Sequence, residues 1–398
     1  MINELYSYIE PRSGAASKSG SSNGLQICIQ PNLNVRGWQT EAGSMALKGY
    51  VALDDAYVIE RLRAQGAFIA ASTRMGELGF GLAGDTTGRA VQQDCDAALV
   101  TDAFGESRVI AALHGLLGFK PSHGVVSRRG LIGLIPSMES ISVVAKKTGV
   151  VSSVLQAIVT PDDQDFSMMQ SGLPNFSAPA VPAEEIKTVG VITEAVSLLD
   201  AAASKAFQKG LDQVSKKGYA VQKVTLPSFP LFRKAHQVIG SAEASSSAGK
   251  FDSVRYGPRA SGTSNWNEMY LQTRAECFGT LLKCYLFQGG YIQFKDFEAF
   301  QDACRIRHRL VKEVETLFGK VDALALPTRR DATSPEKAET VEDIYDLFAM
   351  TLPANVLGTP AVSLPGFVDS DGVDLGLQLI APRVRDRQLL EMAAALVG

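Results

Sequence analysis

The sequence predicts an α/β fold, with one large, twisted, mixed β-sheet flanked by helices on both faces. Two observations carry this prediction. Short apolar runs alternate with segments of helical periodicity along most of the 398 residues, and one such run, helix and run form a βαβ-like unit early in the chain. At 45% hydrophobic and 20% charged, the chain also has enough apolar residues for a large core. No internal repeat is present.

Residues 12–24 (RSGAASKSGSSNG) are small, polar and rich in Gly and Ser. They offer little to bury and predict a flexible loop. The chain then divides into an N-terminal segment and loop over 1–24 and a single domain over 25–398. Residues 25–30 predict a strand. A helix is expected over 55–65, with Ala56, Ile59 and Leu62 on one face, Asp54 or Asp55 as N-cap and Gly66 as its stop. The strand 67–71 completes the βαβ-like unit. Next come a strand at 97–101, a small helix at 109–116 and a strand from Gly118 to Lys120. A Pro-rich connection spans 172–182, followed by a strand at 188–192. Asp200 caps a helix that runs to Lys217, Gly218 ends it, and 219–224 is again a strand. Two long amphipathic helices are expected at 265–287 and 295–318, then a strand at 321–326. A helix at 344–356, strands at 361–364 and 375–380, and a helix at 386–397 complete the order.

Composition narrows the function. A net charge of -3 argues against an overall electrostatic grip on nucleic acid. The five cysteines are odd in number and form no CxxC pair, so they are expected as reduced thiols in a cytoplasmic protein. Residues 1–11 do not resemble a leader, and no apolar run approaches a bilayer span, so neither secretion nor a membrane is expected. His114, His123, His236 and His308 form no HxxxH or HxH pair, and neither a metal nor a cofactor is expected.

The most informative stretch is 100–124, VTDAFGESRVIAALHGLLGFKPSHG. Asp102, Gly105, Glu106, Ser107 and Arg108 lie in a tight turn between a strand and a helix. This pattern resembles the nucleophile loop of the amidase signature family, in which an aspartate, a Gly-rich turn, a nucleophilic serine, an arginine and a Gly-x-Lys-Pro-Ser/Thr strand follow in order. Asp102, Gly105, Arg108, Gly118, Lys120, Pro121 and Ser122 take those places, and the serine position holds Glu106. The likeness covers nearly the whole chain. RYGPRA, EMYLQTRAECFG and the long helices look most like the branch that supplies the A subunit of glutamine-dependent aspartyl/glutamyl-tRNA amidotransferases. VDALALPT, PANVLGTPAVSLPGF and LGLQLIAP resemble the family's C-terminal core strands.

The resemblance implies a serine, a second serine on a cis peptide and a lysine acting on an amide. In GAFIAASTRMGELGFG the lysine position holds Ser72, and Arg74 cannot serve as a base because guanidinium keeps its proton. The region of the second serine is shortened, and its nearest hydroxyls, Thr86 and Thr87, read as turn residues. Phe104 stands where a smaller residue would leave room for a substrate carbonyl. Ser107 is a possible nucleophile only if the loop slips by one residue. Cys95, among acids, reads as a structural thiol.

The expectation is therefore an amidase-like protein without its catalytic triad, acting as a non-catalytic binding or assembly partner. Asp102, Gly105, Glu106 and Arg108 form its candidate binding loop. An active amide hydrolase or amidotransferase subunit with a rearranged site is the alternative, and a different reaction with Glu106 as acid or base is a third. The resemblance implies a heteromeric protein partner; a homodimer and a small-molecule amide ligand stay open.

Overall fold

The structure is a computed structural model that describes residues 4–10, 20, 22–177, 185–368 and 372–397. Most of the Gly/Ser stretch 12–24 and part of the 172–182 connection lie outside the described residues. In chain order the elements are β1 (Tyr6–Ile9), β2 (Gln26–Ile29), α1 (Tyr57–Ala64), β3 (Phe68–Thr73), α2 (Thr87–Gln93), β4 (Ala97–Asp102), α3 (Glu106–His114), β5 (Leu117–Lys120), β6 (Ser140–Ala145) and α4 (Thr148–Ile158). Then follow β7 (Thr188–Ile192), α5 (Thr193–Val196), α6 (Ala201–Lys216), β8 (Ala220–Val224), α7 (Leu231–Ser247), α8 (Trp266–Cys277), α9 (Thr280–Lys295) and α10 (Phe297–Phe318). The last are β9 (Ala323–Pro327), α11 (Val341–Leu347), α12 (Leu352–Leu357), β10 (Ala361–Leu364), β11 (Leu377–Ile380) and α13 (Asp386–Val397).

The described strands form one mixed sheet of 11 in the order β1-β3-β2-β4-β6-β5-β10-β11-β9-β7-β8. β2 runs parallel to β3 and β4, whereas β4 meets β6 antiparallel. The two-residue period of β4 divides its side chains between two cores: Ala98 and Val100 face one, Ala97 and Leu99 the other. Helices α3, α7, α9 and α10 pack on the first core, and α1, α4, α6 and α13 on the second. A strand buried on both faces needs an apolar run rather than alternation, and AALV in β4 supplies it. Among the described residues, no helix is long and apolar enough to cross a membrane.

The expected fold class holds, and several local expectations are corrected. β1, α2, α7, β6 and α4 were not expected. Thr87 opens α2 rather than a turn, and its hydroxyl lies 3.0 Å from that of Thr73. Neither Asp54 nor Asp55 caps α1: Ala56 holds the cap position, while the Asp55 carboxylate accepts from the Arg36 backbone N-H and from Arg63. The helix expected at 265–287 is broken at Phe278 and Gly279, so that α9 runs on to Lys295. The helix expected at 344–356 is two short helices, with Pro353 in the first turn of the second.

The expectation of five reduced thiols is corrected at one pair. Cys28 on β2 and Cys95, in the turn that leads from α2 into the neighbouring strand β4, come together as a disulfide, with Cα atoms 6.1 Å apart across 67 residues of sequence. A spacing of that length carries no pairing signal. Cys277, Cys284 and Cys304 are free.

Candidate functional site

The site begins where β4 ends. Asp102 is the last residue of the strand, Ala103 to Gly105 make the turn, and Glu106 opens α3. Residues 102–108 are all buried. Gly105 has φ 126°, in the half of the map that side chains disfavour, and a Cβ there would lie 2.1 Å from Thr351 Oγ1. Thr351 needs that position, because its hydroxyl donates to the Phe104 carbonyl at 2.7 Å. Gly105→Ala is therefore expected to cost roughly 3 kcal/mol or more, from backbone strain and overlap together. Chemical denaturation of the variant measures it, and a loss within experimental error contradicts this account of the turn.

Glu106 turns its side chain back onto the loop. Its Oε2 accepts backbone N-H groups from Ala103 at 2.7 Å, Phe104 at 2.8 Å and Gly105 at 3.0 Å. Three successive amides converging on one oxygen form an anion-binding nest at a helix N-terminus. Burial, with the nearby Asp102 charge, nevertheless pushes the Glu106 carboxyl up to about 8, against the pull of those donors.

Asp102 and Arg108 form a fully buried ion pair, with Arg108 Nη2 at 2.9 Å from Asp102 Oδ1. Burial alone would raise the Asp102 carboxyl, but the charge and hydrogen bonds of Arg108 hold it below its ordinary value. Arg108 also donates to the Thr351 carbonyl at 2.8 Å and to the side-chain oxygens of Gln378 and Asn355. Asn355 returns its amide N-H to Asp102 at 2.9 Å and to the Met138 carbonyl at 3.1 Å. Ser107 Oγ donates to Asp102 Oδ2 at 2.5 Å and is fully buried.

Phe104 fills the other side of the turn. It is fully buried, with its ring centroid 4.6 Å from that of His236, 5.5 Å from Tyr345, 5.6 Å from Phe348 and 5.7 Å from Phe80. His236 links this aromatic packing to the loop, its Nε2 lying 2.9 Å from the Ala103 carbonyl. A carbonyl only accepts, so Nε2 carries the proton and Nδ1 accepts from the Tyr345 hydroxyl, 3.0 Å away. Burial holds His236 down to about 4, consistent with a neutral ring.

Ser72 stands apart from this assembly. It pairs with Ile29, which in turn pairs with Leu99, so Ser72 is level with Leu99, three residues before Asp102, with β2 between them. Its hydroxyl is buried and makes no hydrogen bond to any described residue. Arg74 is exposed. His114 is half-buried against Gly88, where a Cβ would lie 2.0 Å from the imidazole. Lys120 is buried, donates to the Pro121 carbonyl at 2.9 Å and is held down to about 7 by burial. Among the described residues, no cluster of His, Cys, Asp or Glu could hold a metal ion.

The structure thus brings together Asp102, Gly105, Glu106, Ser107 and Arg108 and leaves Ser72 outside. Sequence reasoning missed the second layer: Thr351, Asn355, Gln378, His236 and Tyr345. Asn355 and Gln378 did carry a signal, as amides set in the apolar runs LPANVLG and LGLQLIA.

Comparison with known proteins places the chain. The family model described as Amidase matches residues 10–93 and 92–390. The glutamyl-tRNA(Gln) amidotransferase A subunit of Natronomonas pharaonis is 32% identical over 411 residues, covering 95% of this chain and 96% of that protein. The corresponding A subunit of Symbiobacterium thermophilum is 31% identical over 414 residues, covering 96% and 84%. The crystal structure of the Thermotoga maritima A subunit superposes with a TM-score of 0.79 at 22% identity, covering 98% of this chain and 87% of that one. The match across nearly the whole sequence and the shared fold lead to one statement of kinship: this chain belongs to the amidase family.

Proposed function

We propose that this amidase-family chain no longer hydrolyses amides and acts as a non-catalytic binding or assembly partner. The carrying observation is the Glu106 carboxyl oxygen seated on the amides of residues 103–105. Acyl transfer from an amide needs a nucleophile within reach of a base and free N-H donors for the developing oxyanion. In this loop the donors already hold a carboxyl oxygen of the chain itself. Ser107 is tied to Asp102 and shut from solvent, Ser72 offers no amine, and Phe104 fills the space beside the turn. Asp102 and Arg108 keep the loop in shape without serving a reaction. The relatives are named as subunits of an amidotransferase, which supports a protein partner for this chain as well.

The test is exposure of the purified protein to a fluorophosphonate, followed by intact mass and peptide mapping. The expected result is no adduct and no hydrolysis of glutamine or simple carboxamides above background. An adduct on Ser107 accompanied by turnover overturns the proposal in favour of an active hydrolase with a rearranged site.

A further inference from the structure

Helix α9 carries an aromatic stripe that the described residues leave uncovered. Phe287 is 74% exposed, Tyr291 63% and Phe294 81%, spaced to lie along one side of the helix, and Phe297 follows at 53% at the start of α10. The opposite side of α9, with Leu282, Tyr285, Leu286 and Gly289, is buried in the core. Aromatic side chains cover 150–250 Å² each, so these four expose roughly 500 Å² of ring surface. That is more than half of the ~800 Å² that each partner brings to a stable interface.

The two glycines at the middle of α9 differ in what they do. A Cβ on Gly289 would sit 1.8 Å from the Ser241 carbonyl oxygen, so the contact of α9 with α7 requires that glycine. A Cβ on Gly290 would meet nothing closer than Ser245 Oγ, at 3.6 Å, which is an ordinary contact. The fold of the single chain therefore does not need Gly290. Its missing side chain leaves a notch beside Tyr291.

We infer that a second copy of this chain docks on this stripe, α9 against α9, antiparallel about a two-fold axis between residues 290 and 291. The sequence of the stripe suits such an axis. Phe287 of one copy meets Phe294 of the other, and Tyr291 of each packs over Gly290 of its partner. A two-fold contact must be self-complementary, with residue i against j and j against i, and this pattern meets that condition from either end. A foreign partner would gain nothing from the symmetry.

Light scattering on a size-exclusion column, over a range of micromolar concentrations, is expected to report twice the chain mass. Phe287→Asp combined with Phe294→Asp is expected to weaken the dimer at least ~100-fold, as for central aromatic anchors, while the melting temperature of the monomer shows that the chain still folds. Tyr291→Cys, made with Cys284→Ser and Cys304→Ser, is expected to give a disulfide-linked dimer under mild oxidation, because residue 291 of each copy lies next to the two-fold axis, whereas Lys209→Cys on α6 in the same background gives none. A monomer at every concentration overturns the inference, including one that assembles only with a different protein. A dimer that survives the double aspartate variant and shows no Tyr291→Cys cross-link also overturns it.

Discussion

Replacing Arg108 with methionine is expected to destabilise the protein by about 3–5 kcal/mol, the usual effect of removing one partner from a buried ion pair. The guanidinium neutralises Asp102, which is fully buried, and satisfies the Thr351 carbonyl and the side-chain oxygens of Gln378 and Asn355. Methionine fills similar volume but leaves a carboxylate and three acceptors without their donor. Since a folded domain of ordinary stability holds about 5–15 kcal/mol in total, the variant is expected to accumulate poorly as soluble protein. Adding Asp102→Asn should recover part of the loss, because the uncompensated charge is then gone. Urea unfolding followed by circular dichroism measures both variants. A loss below ~1 kcal/mol for Arg108→Met would mean that the pair contributes no more than a surface salt bridge.

Glu106→Gln is expected to change how stability depends on pH. Burial, with the charge of Asp102, pushes the Glu106 carboxyl up to about 8 in the folded chain. Between the ordinary glutamate value of about 4.3 and that figure, the folded state holds a proton that the unfolded state releases. Stability from this group is therefore fully present below about pH 4 and falls as pH rises through 8. Other groups titrate in the same range. His123 and His236, both held down to about 4, add stability as pH rises through the range below their ordinary value, and Lys120, held down to about 7, does so above 7. The difference between the parent and Glu106→Gln at each pH removes these shared contributions. That difference is expected to move by a few kcal/mol in favour of the glutamine variant between pH 5 and 8, because each tenfold change in proton affinity is worth about 1.4 kcal/mol. The glutamine oxygen can still accept the three amide N-H groups, so the loop geometry is kept. Parallel stability curves for the two proteins would show that Glu106 is an ordinary anion held by its nest.

Much of this architecture is legible in the sequence because it is periodic. The βαβ unit follows from apolar spacing in 55–65 and the runs around it, and α6 follows from a true side-chain cap, with Asp200 accepting from the Ala203 N-H at 2.8 Å. The misses have local physical causes. β1, YSYI, has no run of aliphatic residues to mark it and is held by pairing with β3. The break between α8 and α9 comes at a glycine within otherwise continuous helical spacing, where Gly279 donates its N-H to Glu77, 202 residues away in sequence. The loop itself was legible from TDAFGESR, down to the odd placement of Phe104 and Glu106. What Glu106 does was not, because a carboxylate that folds back on its own backbone leaves no trace in residue spacing. Asn355 and Gln378 stood out as amides in apolar runs, but their pairing with Arg108 did not, because it arises only when α12 and β11 pack beside the loop.

The order of strands in the sheet also sets a sequence of assembly. Asp102 and Arg108 lie in the first third of the chain, yet Thr351, Asn355 and Gln378 stand 243 to 270 residues beyond Arg108. A chain still being synthesised can form β2, β3, β4 and the helices between them from local contacts, but its central charge pair then lacks the amides that complete it. Contacts of such separation form late, after the closure entropy of the intervening chain has been overcome. The hydrogen bonds of Arg108 are therefore filled only once the last strands have entered the middle of the sheet.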